Sequence, residues 1–250
     1  MKFIYSLQSE LLKTKRSAAS WLCIIGGFFV PTIHLIYFLV KKLTINNKES
    51  IGHNWEKYFG DLMHNMEGFL LPMGVILASS LITQMEFKNN TWKQLHTTPQ
   101  SYTTIFLAKF SVILIMLFKY FLYFNIGILL SGAIPCLIFE SLPNEDFPFW
   151  ILLNANSKIF ILCLPIVAIQ YLISLHFKNF LVPVGIGLVG LIGTMIGGSW
   201  EYIFISPYSY TAMDFMHATT PFDLKIRAII CFCIIMMISY ILYIRKKEKG

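Results

Sequence analysis

Charged side chains are scarce in this chain: Asp, Glu, Lys and Arg make up only 13% of its 250 residues. Soluble domains carry about 25% of these residues, so the deficit argues against an ordinary soluble fold. Apolar residues take their place, with 56% of the chain hydrophobic and 16% aromatic. The composition therefore predicts an integral membrane protein.

Signatures of catalytic and metal sites are also absent. The sequence contains no G-x-x-x-x-G-K-[ST] run for nucleotide phosphates and no H-E-x-x-H run for zinc, and Ser199 does not lie in G-x-S-x-G. The five cysteines show no C-x-x-C spacing, which favours apolar packing over a disulfide framework. We therefore expect no catalytic residue, no metal site and no cofactor within the chain itself.

The net charge of +7 does not indicate nucleic-acid binding. Lys and Arg lie at the ends of apolar runs, and no polar segment combines a basic stripe with interleaved aromatic residues. The negative surface potential of a membrane accounts for such a distribution. The expected partner of the basic residues is the lipid bilayer.

Six apolar segments approach or exceed the roughly 20 residues that a helix needs to cross a bilayer. An amphipathic stretch at 3–16 precedes them and is expected to lie in the membrane interface, or else to extend the first span into the cytoplasm. The predicted fold class is an all-α integral membrane protein, a single domain over 1–250 with six transmembrane helices. The predicted spans are 21–40, 68–84, 105–135, 151–175, 180–199 and 228–244.

Two ionisable residues within these spans are candidates for a translocation path. His34 is either a hydrogen-bonded packing residue or a ligand site, and Lys119 lies about 15 Å along a helix from Lys109, too deep to reach the interface easily. Ionisable residues inside a membrane often mark functional sites. For Lys119, an internal salt bridge and a water-filled groove are the alternatives to a substrate role.

Small residues mark the fifth span. Gly193 and Gly197 form a small-x-x-x-small pair that lets another helix approach closely, either within this chain or from a second copy. Residues 200–225 follow and are rich in Trp, Tyr and Phe, which are favoured where a membrane meets water. We expect that segment to be half embedded in the interface.

A polar segment, 85–101, separates the second and third spans. Its apolar residues recur at helical spacing and Pro99 ends the pattern, which predicts a short amphipathic helix at the membrane face. With six crossings, this segment and both termini lie on one side, which also carries more Lys and Arg. That bias predicts that they are cytoplasmic.

The residues of this segment resemble a known family. The run Glu86, Thr91, Leu95, Pro99, Ser101 and Lys109 resembles the cytoplasmic coupling segment in permease subunits of type-2 ABC exporters. The N-terminal ELLKTKRS, followed by a tryptophan, is similar to the interfacial connecting helix of that family. Within the family, the chain is most similar to permeases of lantibiotic (bacteriocin) immunity and of small drug exporters.

The resemblance implies a transport subunit with no enzymatic activity of its own. Two permease chains, identical or paralogous, would assemble with two copies of a separate ATPase that holds ATP and Mg²⁺, in a bacterial cytoplasmic (inner) membrane. The seam between permeases would involve Gly190, Gly193 and Gly197. Contacts that couple to the ATPase would involve Glu86, Phe87, Thr91, Trp92, Leu95, Pro99 and Lys109.

The expected substrate is amphipathic or hydrophobic: a bacteriocin-like peptide, a drug or a lipid. One alternative is an ion or small-solute exporter of the same architecture, in which Lys119 and Glu67 would matter more. Another is a membrane sensor or scaffold without transport. This alternative predicts that disrupting the polar segment leaves function unchanged.

Overall fold

The computed structural model describes residues 2–45, 55–88, 101–138, 148–198, 200–216 and 223–247. No strand occurs in these ranges, so the predicted all-α fold class is confirmed. The elements are α1 (Lys2–Thr14), α2 (Ala18–Ile45), α3 (Trp55–Asn65), a π-helix (Met66–Leu70), α4 (Leu71–Lys88), α5 (Tyr102–Ile138), α6 (Phe149–His176), α7 (Leu181–Ile196), a 3₁₀ turn (Ile203–Ile205), α8 (Ser209–Phe215) and α9 (Leu224–Lys247).

Five helical stretches are long and apolar enough to cross a membrane, which makes this a multi-pass membrane protein. They are Ala18–Lys41, Lys57–Met85, Tyr102–Pro135, Phe149–His176 and Leu224–Arg245. Helix α7, within the predicted span 180–199, is apolar but has only 16 residues. At 1.5 Å per residue that is about 24 Å, less than the roughly 30 Å of a hydrocarbon core.

Helix α5 lies at the centre and runs parallel to α2 in close contact. Their backbones approach where one helix has glycine: a Cβ added at Gly27 would lie 2.8 Å from Tyr123 Cβ, and one at Gly127 would lie 2.9 Å from Pro31 Cγ. Small residues at a helix crossing allow this approach, which maximises van der Waals contact where lipid removes the hydrophobic driving force. Helices α2 and α5 therefore form one tightly packed pair.

The bundle has two distinct ends, which we name by their short helices. The α1 end carries α1, the carboxyl ends of α4 and α6 and the amino end of α5. The α8 end carries α3, the π-helix and α8, which packs on the π-helix, α6 and α7. The segment 89–100 joins α4 to α5 at the α1 end.

Part of the segment after α7 packs inside the bundle. Residues 208–213 are all buried, while Trp200 and Tyr202 before them are exposed. Gly190 makes room, because a Cβ there would lie only 2.6 Å from the Tyr208 ring. The stretch 208–213 is therefore surrounded by protein, and the half-embedded position expected for 200–225 stays a prediction.

Candidate functional site

The predicted ATPase-coupling segment is described only at its attachment points. Thr91, Trp92, Leu95 and Pro99 lie outside the described residues. Glu86 and Phe87 belong to the last turn of α4, and their side chains are likewise outside the description. Their roles stay predictions, and the structure instead describes what holds the two ends of the segment.

Hydrogen bonds between helices surround both attachment points. Gln84 Nε2 near the end of α4 donates to Phe177 O in the α6–α7 turn at 3.1 Å. The hydroxyls of Thr103 at the start of α5 and Tyr240 of α9 lie 2.7 Å apart. One turn further along α5, the carbonyl of Phe106 accepts a hydrogen bond from Tyr171 OH of α6 at 2.9 Å. Such bonds contribute about 1 kcal/mol each. A displacement of either end of 89–100 is therefore passed to α6 and α9 as well.

Lys109 makes a further buried connection close to the start of α5. Its side chain is only 2% exposed, and its Nζ lies 3.2 Å from Glu10 Oε2 of α1. Glu10 also contacts Lys13 and lies between Ser6 and Thr14 on the buried face of α1. Helix α1 is thus attached to α5 by an ion pair in the protein interior.

The pairing changes the interpretation of both residues. The sequence analysis assigned Lys109 to contacts with the ATPase and did not single out Glu10, and the pair was not visible because 99 positions separate the two residues. The available signal was the spacing of Ser6, Glu10 and Thr14 at i, i+4 and i+8, which puts three polar residues on one helix face. On the other side of α1, Ile4, Tyr5 and Leu12 are exposed.

The charge of Glu10 should make the attachment of α1 sensitive to acid. Burial raises the pKa of this carboxyl, but Lys109 and Lys13 outweigh it and hold the pKa below its ordinary value of 4.5. In the unfolded chain Glu10 takes up a proton at a higher pH than in the folded chain. Its contribution to the attachment of α1 is therefore complete above pH 4.5 and is lost as pH falls through the lowered pKa. We expect the protection of α1 amides from hydrogen exchange, measured relative to their intrinsic exchange rates, to fall in that acid range.

Two variants check the assignment of this acid response. Glu10→Gln should remove the acid-dependent loss of protection in α1. Glu201→Gln, at an exposed position elsewhere, should retain that loss. An acid response in Glu10→Gln equal to that of the unmodified chain would show that another group controls the attachment.

An apolar groove of about 610 Å³ lies between α2 and α4. This volume falls within the range of small-molecule sites. Tyr120 of α5 forms part of the wall, and its hydroxyl is buried with no hydrogen-bond partner among the described groups. The groove thus offers apolar walls to a ligand, whereas the Tyr120 hydroxyl is turned into the protein. Its other lining residues are Ala18, Trp21, Leu22, Ile25, Gly26, Phe29, Leu70, Met73, Gly74 and Leu77.

The two predicted path residues lie apart from the lining of this groove. Lys119 is half-buried on α5 near Cys23 of α2, and no carboxylate among the described residues pairs with it. His34 packs its ring edge-on against Tyr58, with centroids 5.1 Å apart. Aromatic packing is therefore the observed environment of His34, and the part of Lys119 and His34 in a translocation path stays a prediction.

The three candidate seam glycines differ in what surrounds them. A Cβ on Gly190 would meet Tyr208, and one on Gly197 would lie 3.1 Å from Gly193 O and 3.3 Å from Ile203. A Cβ on Gly193 would meet nothing within 4 Å. Contacts within the chain account for Gly190 and Gly197, which leaves Gly193 as the member that faces open space.

A buried polar network ties together four parts of the bundle. Gln170 Nε2 of α6 donates to Ser80 Oγ of α4 at 3.0 Å and to Pro183 O of α7 at 2.7 Å. Tyr208 OH donates to Gln170 Oε1 at 3.1 Å. Sequence reasoning missed this network because it considered only ionisable residues within the spans, although the uncharged Gln170 lies within one of them.

Comparison with known proteins identifies the family. A family model described as "ABC-2 family transporter protein" matches residues 6–194, from α1 through most of α7. No curated protein and no solved structure matches the chain. The matched range covers well over half of the 250 residues and includes the elements at both ends of 89–100. The chain therefore belongs to the ABC-2 family of transporter proteins, as a membrane permease subunit.

Proposed function

We propose that this permease exports an amphipathic or hydrophobic compound, such as a bacteriocin-like peptide, a drug or a lipid, with energy from ATP hydrolysed on a partner. Family membership implies association with an ABC ATPase. Docking of that ATPase is assigned to Glu86–Gln100. The observation that carries this assignment is the set of hydrogen bonds between helices at both ends of 89–100.

The same contacts suggest how force reaches the groove. Movement of 89–100 acts on α4 and α5, and the Lys109–Glu10 ion pair carries α1 along with α5. Helix α2 follows α5 because their backbones interlock at Gly27 and Gly127. The groove lies between α2 and α4, so unequal movement of α4 and α5 changes its width. ATP and Mg²⁺ act on the partner, and this chain supplies the moving walls.

The groove supports the substrate class. Its walls are almost entirely apolar, so transfer of an apolar molecule from water into the groove is favourable. The groove is bounded by α2 and α4 and lined by side chains such as Ile25, Phe29 and Leu77. These walls fit the apolar part of an amphipathic or lipid-like molecule.

The proposed assembly has two permease chains and two ATPase subunits in a bacterial cytoplasmic (inner) membrane. Each chain makes six crossings with both termini cytoplasmic, the fifth being α7 completed by the buried segment after it. Large apolar residues of α2 and α7, among them Ile33, Tyr37 and Val189, are exposed in the isolated chain. These surfaces, with Gly193, are where a second permease is expected to pack.

Replacing a tryptophan in the docking segment tests the proposed coupling. Trp92→Ala is expected to reduce ATP-driven transport by roughly tenfold or more, since loss of a central aromatic contact commonly costs 2 kcal/mol or more in binding. The measurement is substrate efflux, together with ATP hydrolysis, from vesicles that contain the assembled transporter.

Trp150→Ala is the matched control, because Trp150 is 77% exposed in the first turn of α6, at the end of the bundle opposite to Lys88 and Ser101. It should transport normally. Equal transport by Trp92→Ala and the unmodified chain would contradict docking at this segment, and absence of ATP-driven efflux from the unmodified chain would favour a non-transporting sensor or scaffold. Loss of ion extrusion on neutralising Lys119, with efflux of hydrophobic compounds unchanged, would favour the ion exporter.

A further inference from the structure

A carboxyl cluster at the α8 end is not used by the proposed transport mechanism. Glu67 lies in the π-helix and is only 5% exposed. Asp214 of α8 lies near it, because α8 packs on the π-helix. Lys158 of α6 forms an ion pair with Asp214, with Nζ 2.5 Å from Oδ1. Three elements thus place two carboxyl groups and one ammonium group together.

Two carboxyl groups this close together are stable only when one of them carries a proton. Ionised carboxylates only accept hydrogen bonds, so two of them in contact repel each other unless one carries a proton. Lys158 binds Asp214 directly and stabilises its negative charge. Among the described residues no ion pair joins Glu67 to a cation, and the nearby Lys158 ammonium group is already paired with Asp214.

The burial of Glu67 also indicates that it is the carboxyl that carries the proton. Glu67 Oε1 is buried and has no hydrogen-bond partner among the described groups. An isolated carboxylate in an apolar interior is far less stable than the neutral acid. The other titratable groups packed nearby are Cys163 of α6 and His64 of α3. A thiol such as that of Cys163 supplies no positive charge, and the ring of His64 stacks on Phe215. The first turns of α4 carry no titratable side chain.

Local geometry brings α8 down over Glu67. A Cβ on Gly68 would lie 2.7 Å from the Phe215 ring, and the His64 and Phe215 rings stack with centroids 4.1 Å apart. Glu67 and Gly68 lie in a π-helix, a rare element that is frequent at functional sites. Contact between α8 and the π-helix therefore brings Asp214 to Glu67.

We propose that Glu67, Asp214 and Lys158 form a proton-binding site, in which Glu67 holds the proton and α8 covers it. Deprotonation of Glu67 places two negative charges against each other with a single lysine between them, which favours release of α8 from the π-helix. Lys158 is 41% exposed at its side chain, so the cluster reaches the surface of the isolated chain. The site does not depend on the proposed substrate or on the ATPase.

Infrared spectroscopy of the full-length protein in lipid nanodiscs tests the assignment directly. At neutral pH the unmodified chain should show the carbonyl stretch of a buried, protonated carboxylic acid. Glu67→Gln should lack that band. Asp61→Asn, at an exposed carboxyl one helix earlier, should retain it. Absence of the band from the unmodified chain, or its persistence in Glu67→Gln, would overturn the proposal.

Hydrogen exchange tests the role of α8 in the same samples. As pH rises, α8 amides in the unmodified chain should lose protection over the pH interval in which the infrared band disappears. In Glu67→Gln, which keeps the size and neutrality of the protonated side chain, α8 protection should not change over that interval. Loss of protection in Glu67→Gln at the same pH as in the unmodified chain would overturn the link between the proton and α8.

Discussion

Replacement of Gly190 by leucine is expected to abolish folding of this permease or leave it without transport. A Cβ at this position would lie 2.6 Å from the Tyr208 ring, and three further carbons have no space. Overpacking costs about 1–3 kcal/mol or more. Displacement of Tyr208 also breaks its bond to the buried Gln170, which adds about 1–3 kcal/mol. The measurement is the fraction folded during chemical denaturation in detergent.

Two other glycines of α7 separate packing within the chain from assembly. A Cβ at Gly185 or at Gly193 would meet nothing within 4 Å, so leucine at either position should leave the isolated chain as stable as before. Gly193→Leu should nevertheless weaken pairing of two permeases, measured as the dimer fraction in mild detergent. Normal stability of Gly190→Leu would show that Tyr208 does not occupy the space beside it.

Removal of the Lys109 ammonium group is the second change with a large expected effect. Lys109→Met should lower the free energy of unfolding by about 3 kcal/mol, the lower end for removing one partner of a buried ion pair, because Glu10 keeps its contact with Lys13. The effect should appear first as detachment of α1 and then as weaker coupling of ATP hydrolysis to transport. Denaturant titration and hydrogen exchange in α1 measure the first part.

Two comparisons distinguish the ion pair from general damage. Lys13→Met removes an exposed cation from the same carboxylate and should have a small effect, as surface ion pairs contribute about 0–1 kcal/mol. The double variant Lys109→Met with Glu10→Leu should recover much of the loss, because a well-packed apolar pair often replaces a buried ion pair. No recovery in the double variant would argue that Lys109 acts through other contacts.

Much of the helical fold follows from hydropathy alone. The charge deficit, together with apolar segments such as 105–135 and 151–175, leads to long helices at those positions, because backbone groups within a bilayer must be satisfied inside the helix. The family also follows, since the polar segment between the second and third spans carries residues of recognisable spacing. These features are local, so they are visible in the sequence.

The connections between helices are what sequence reasoning missed. Glu10 and Lys109 are 99 positions apart, and nothing in either local pattern specifies the other. The aromatic content of 200–225 indicated only that this segment meets the interface, and nothing in it showed that Tyr208 packs in the space beside Gly190. The short α7 likewise departs from the predicted span because the chain turns at Gly197 and folds back.

The most direct test of the central claim is a cross-link from the segment between α4 and α5. A photoreactive residue at position 95 should capture an ABC ATPase subunit in membranes that contain the assembled transporter, and the same residue at position 150 should not. ATP analogues that close the ATPase should change the yield at position 95. Capture of no ATPase from position 95, or equal capture from both positions, would contradict docking of the ATPase at Glu86–Gln100.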